Sequence, residues 1–156
     1  MAVNMVFCIL KQKLLSVGYM YMKKKNFTLV LIIIFISVPI YLQNGKSTEG
    51  YSSIVESSES GYIENISIVS NKLFITNKEK FAEQIIQDIT DNTLKGIMFS
   101  YDIQGYPNGI YITVYMNDHD YRNGKSCFKI SYLQNDRYNE KYNIRDDPEK
   151  FTLKIL

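Results

Sequence analysis

The sequence predicts an α+β protein: an N-terminal transmembrane or signal-anchor helix, then one β-β-α-β-β-β-β domain with one helix packed on a mainly antiparallel sheet. Three observations carry this. Residues 27–42 are apolar on every face; apolar residues between Phe81 and Ile89 recur at spacings of three and four; and from Ile97 onward apolar positions alternate with a period of two.

Residues 1–21 hold two weak apolar runs around a Lys-Gln-Lys break, neither long enough to cross a bilayer. Met22 before Lys23, Lys24 and Lys25 has the layout of an export signal at a true start, so 1–21 reads either as a cytoplasmic segment or as sequence ahead of the native start. Residues 22–42 form the membrane anchor or signal segment. From Asn26 to Leu42 the chain carries no ionisable side chain except Tyr41, and the run sits at the short end of the roughly 17–25 residues that span a bilayer. Pro39 stands in Ser37-Val38-Pro39 where signal cleavage needs a small residue, and Gly45-Lys46-Ser47 is a weaker match beyond the run. The expectation is an uncleaved single-pass anchor through 27–42 in the cytoplasmic membrane. The alternative is secretion after cleavage near Ser47.

Lys11, Lys13, Lys23, Lys24 and Lys25 precede the run while Lys46 alone follows closely, which places the N-terminus inside and the C-terminal domain outside. The formal charge of the whole chain is +2, but the part after Leu42 keeps 13 of the 18 Lys and Arg and all 16 Asp and Glu, a net of −3. An acidic exported domain lacks the clustered cations that displace counterions from phosphates, so nucleic acid is excluded as a partner. Cys8 and Cys127 fall on opposite sides of the membrane and cannot pair; Cys127 is expected as a buried thiol.

Residues 43–61, rich in Ser, Gly and Glu, read as a flexible spacer that lifts the domain off the membrane. The domain occupies 62–156. Ile63–Val69 and Leu73–Ile75 read as two short strands around a polar turn at Ser70-Asn71-Lys72. Thr76 with Glu79 has the capping-box spacing, opening a helix whose stripe of Phe81, Ala82, Ile85, Ile86 and Ile89 faces the core. Ile97–Ile103 and Ile110–Met116 alternate around Gly105-Tyr106-Pro107-Asn108-Gly109 and predict an antiparallel hairpin. Phe128–Tyr132 adds a strand, 134–150 reads as a charged loop, and Phe151–Ile155 as the last strand.

One His, no paired-Cys motif and no Gly-rich phosphate loop leave no thiolate zinc site and no bound cofactor to expect. The candidate catalytic residues are His119 with Asp118 and Asp120, where a carboxylate beside an imidazole can raise its pKa. Adjacent loop residues point apart, however, and a metal needs several convergent ligands, so no metal site is expected there. The candidate binding residues come from the 13 Tyr. Tyr111, Thr113 and Tyr115 point away from the predicted core face and Tyr106 lies beside them in the turn, as aromatic anchors of an interface with an envelope protein or glycan would. The competing account is that cross-strand Tyr and Thr simply stabilise an exposed sheet face.

The anchor at Lys23 to Leu42, the strands leading into Thr76-Asn77-Lys78-Glu79-Lys80-Phe81, and Gly105-Tyr106-Pro107-Asn108 in a hairpin together resemble the small membrane-anchored or secreted extracytoplasmic proteins of Gram-positive bacteria with no assigned function. The resemblance implies a compartment and an architecture and carries over no site residues. The expected function is therefore a membrane-tethered extracytoplasmic binding module. A small cell-envelope enzyme working through Asp118, His119 and Asp120, and an immunity or regulatory protein of the envelope, are the alternatives.

Overall fold

The computed structural model describes residues 24–58, 61–135 and 139–156, with the side chains of 24–28 and 58 outside the description. The expectations for 1–21 and 22–23 lie outside the described residues. The chain divides into two compact units, Met1–Tyr41 and Leu42–Leu156.

In the first unit, α1 (Lys24–Asn44) begins and runs on into the second. Every side chain from Leu29 to Leu42 is exposed, Phe35 by 82 %, and apart from Ser37 and the Tyr41 hydroxyl all are apolar, so this stretch has no polar stripe. Pro39 sits inside it, where its missing N–H leaves a helical carbonyl without its usual donor. Among the described residues, no helix is long and apolar enough to cross a membrane.

The second unit is α+β, built on one sheet in the order β1-β2-β3-β4-β5: β1 (Glu49–Ser58), β2 (Gly61–Val69), β3 (Gly109–Tyr115), β4 (Phe128–Gln134) and β5 (Phe151–Ile155). Neighbours are antiparallel except β2 and β3, which run parallel. Parallel strands need a crossover, and here it holds α2 (Lys78–Thr90) and the single turn α3 (Tyr101–Gln104). Ala82, Ile85 and Ile89 of α2 are buried, with Phe81 and Ile86 half-buried, as the stripe predicts. They pack on Ile66 and Ile68 of β2, Ile110, Ile112 and Val114 of β3, and Phe128 and Ile130 of β4. Each such side chain contributes roughly 1.5–3 kcal/mol on leaving water.

Several elements depart from the sequence reading. The expected spacer forms β1, because an edge strand is held by backbone pairing with β2 from Glu49↔Val69 to Ser58↔Gly61 and can leave Ile54 and Val55 exposed. Leu73–Ile75 is not a strand: the Gln43 side chain accepts from Leu73 N–H (3.0 Å) and donates to Phe74 O (3.0 Å), occupying groups a ladder would use. Asn71, at φ 54°, does adopt the left-handed turn conformation. The helix cap is Asn77 rather than Thr76, its Oδ1 accepting from Lys80 N–H at 2.9 Å.

The predicted hairpin is absent. Residues 97–100 are irregular because the Asn92 amide accepts from Phe99 N–H and donates to Phe99 O, both at 2.9 Å, after which Ile103 N–H and Gln104 N–H close onto Ser100 O. Phe99 is buried, but Met98 and Ile103 are 88 % and 80 % exposed. The order is thus β-β-α-β-β-β with a mixed sheet, in place of β-β-α-β-β-β-β. The loop after β3 contains a further turn, α4 (Asp118–Arg122), capped by Asn117. Cys127 is exposed, not buried: it precedes Phe128, whose side chain turns inward, and so faces the other way.

Candidate functional site

The sheet has two faces, and strand register assigns residues to them. α2 covers the face of Ile66, Ile112 and Ile130, which lie in one row across β2, β3 and β4. On the opposite face a second row reads Ile54, Asn65, Tyr111, Ser131 across β1 to β4, and a third reads Ser52, Ser67, Thr113, Lys129. Tyr111 is 39 % and Ile54 63 % exposed, while Ser131 is buried beside them. Asn65 Nδ2 is buried without a hydrogen-bond partner. Aromatic, aliphatic and amide groups therefore adjoin on a pleated surface that the helix leaves uncovered.

Tyr111 and Thr113 stand where the alternation predicts. Tyr115 shares their face but is half-buried, its ring meeting Tyr121 of α4 edge-on at 5.2 Å, and Tyr121 in turn meets Tyr51 of β1 at 4.8 Å. This cluster closes one end of the open face. Tyr106 lies elsewhere. Its ring packs on Tyr101 at 4.3 Å against the main core, with the Arg145 guanidinium 4.9 Å from its centre and hydrogen-bonded to its hydroxyl.

Asp118, His119 and Asp120 occupy successive positions of α4, about 100° apart around the helix axis. The His119 side chain is 86 % exposed, with Asp120 Oδ1 at 4.0 Å; Asp118 is held by Arg122 at 2.8 Å. Among the described residues, no group of three or more His, Cys, Asp or Glu could hold a metal ion.

A second polar group, absent from the sequence reading, sits under the core face. Glu64 is only 5 % exposed; its Oε1 accepts from Ser53 Oγ at 2.6 Å, and Oε2 has no partner. The buried Tyr101 hydroxyl is likewise unpartnered. Burial raises the Glu64 carboxyl pKa, partly offset by the Ser53 hydrogen bond. Burial, then the nearby Glu64 carboxylate, pushes the Tyr62 phenol up to about 12, and the same two causes raise Tyr101 further. A signal for Glu64 was present: it shares parity with Ile66 and Ile68, so the alternation that turns those inward turns it inward too.

The folded state keeps the Glu64 proton to higher pH than the unfolded chain, where Glu titrates near about 4.3. Its contribution is complete below that ordinary value and is lost as pH rises through the raised one. Glu64→Gln keeps an oxygen for Ser53 and cannot ionise. In urea unfolding it is expected to match the wild type near about pH 4 and to exceed it at neutral pH; equal midpoints at both pH values would refute the assignment.

Compared with protein-family models, curated proteins and solved structures, the chain finds no match.

Proposed function

We propose that the chain is a membrane-tethered extracytoplasmic binding module, anchored through 27–42, whose contact surface is the open sheet face at Tyr111 and Thr113. The observation that carries the binding reading is the row Ile54, Asn65, Tyr111, Ser131, in which two exposed apolar groups flank a buried amide N–H without a partner. Such a surface suits an envelope protein or glycan, since an aromatic ring supplies contact area and amide and hydroxyl groups supply direction. The tether reading is supported by the apolar side chains exposed all round α1 from Leu29 to Leu42 and by the cations ahead of them.

Each half has its own test. The exposed Cys127 thiol makes the orientation measurable: with Cys8 changed to Ala, a membrane-impermeant maleimide is expected to label Cys127 on intact cells. Labelling only after lysis would reverse the topology. For the surface, a photo-crosslinking residue at 113, beside Tyr111 on the open face, is expected to trap a discrete envelope component, and the same residue at the more exposed position 103, outside that face, is not. Adducts from both, or from neither, would refute the assignment. Tyr111→Ala is expected to abolish the capture while costing less than about 1 kcal/mol of stability, the range of a cross-strand pair.

A further inference from the structure

At the end of the sheet where β2 finishes, two consecutive apolar side chains face solvent: Leu73 is 47 % and Phe74 56 % exposed. Both belong to the turn held by Gln43, whose side chain bonds Leu73 N–H, Phe74 N–H and Phe74 O. Gln43 is the residue immediately after the apolar run that ends at Leu42. The next residues of the chain return to the same place, because Asn71 Nδ2 donates to Ser47 O at 3.0 Å and Thr48 Oγ1 to Ser70 O at 3.3 Å. Lys72 directly precedes the apolar pair and Lys46 directly precedes Ser47; Glu49 and Glu79 are the nearest acids in sequence, and Asp88 lines the same cavity as Lys72.

We infer that Leu73 and Phe74 insert into the lipid interface beside the anchor while Lys46 and Lys72 meet anionic headgroups, so that the domain is seated on the membrane surface. This rests on the tether reading above. The chemistry of the patch matches the occupant: an aromatic and an aliphatic side chain favour the boundary between headgroups and acyl chains, and lysines near an anionic leaflet are attracted to it. A protein partner would have to reach the patch next to the point where the chain enters the run at 27–42. Under the tether reading, lipid surrounds the run that ends one residue before Gln43. Within the second unit, residues 43–48 are fastened beside the patch by the hydrogen bonds at Gln43, Ser47 and Thr48, where composition suggests a flexible spacer.

The chain contains no Trp, so one introduced residue reports alone. The full-length Phe74→Trp protein, reconstituted into phosphatidylglycerol-containing vesicles with brominated acyl chains, is expected to lose most of its Trp emission and to shift it to the blue. Ile103→Trp is the control. Ile103 lies two residues before Gly105, whose carbonyl accepts from the Tyr62 hydroxyl at the start of β2, about 23 Å along the strand from Val69; its emission is expected to remain, quenched by aqueous iodide instead. Charge reversal by K46E with K72E should restore part of the Phe74→Trp emission. Flotation of the same vesicles separates the two readings. A chain that floats but whose position 74 responds to iodide and not to bromine overturns the seating and leaves the tether standing; equal bromine quenching at 74 and 103 also overturns it. A chain that does not float overturns both.

Discussion

Ile112→Ala is expected to lower the unfolding free energy of the domain by about 2–5 kcal/mol, out of the roughly 5–15 kcal/mol that holds a domain of this kind together. Ile112 is 1 % exposed and sits on β3, the central strand, with Ile66 of β2 and Ile130 of β4 directly beside it in register. Ala82, Ile85 and Ile89 of α2 belong to the same cluster, so the side chain is enclosed by both layers of the fold. Removing three carbons there forfeits their transfer energy and leaves a space that flanking strands, fixed by ladder hydrogen bonds, fill poorly. β-branching also suits the strand, and Ala lacks it. Urea unfolding of the two proteins, followed by circular dichroism, reads the shift in midpoint. Ile54→Ala on β1, at 63 % exposure, is the control and should move it little. Equal shifts at 54 and 112 would mean that the helix does not cover the face assigned to it.

The contrast between these two positions also marks what could be seen before the structure. The α2 stripe and the alternation in β2, β3 and β4 were legible because burial itself creates the pattern: a residue's face is set by parity, whatever its partner strand. That is why Tyr111 and Thr113 fall on the open face by parity even though β3 pairs with β2 rather than with 97–103. β1 was hidden because an edge strand draws its stability from backbone hydrogen bonds, which composition does not record. Ile97–Ile103 shows the reverse error. Its alternation is present, yet two Asn92 hydrogen bonds to Phe99 satisfy the backbone locally and divert the chain into a turn. Glu64 lay in plain sight by parity, but burial of a carboxyl runs against expectation until Ser53 and the two phenols are brought around it by the fold.

Asn108→Ala is expected to cost roughly 3 kcal/mol, for a reason that a turn residue would not supply. Within Gly105–Gly109 the positive φ belongs to Gly105, at 73°; Asn108 is buried and acts as a clamp. Its Oδ1 accepts from Tyr62 N–H at 2.9 Å, and its Nδ2 donates to Glu140 O at 3.0 Å and Tyr142 O at 2.7 Å. One amide thus joins the start of β2, the entry to β3 and the 139–142 segment. The same attachment brings Ile144 into the core, where its N–H donates to Pro107 O at 3.1 Å, and sets Arg145 over Tyr106. Truncation leaves one donor and two acceptors to find other partners, and a buried polar group left without one costs about 1–3 kcal/mol. Gln134 Nε2, 3.4 Å from Tyr142 O, recovers part of that loss. Asn108→Asp separates the clamp from a simple packing role. It keeps the acceptor for Tyr62 but turns an oxygen toward two carbonyls, so it should be at least as damaging as Ala at neutral pH and milder in acid, where the carboxyl can donate once. Amide exchange should localise the loss, with protection falling at Ile144 and at Tyr62 while the Ile112–Ile130 pair keeps its own. Wild-type stability in the Asp variant, or a loss spread evenly over the sheet, would exclude the clamp.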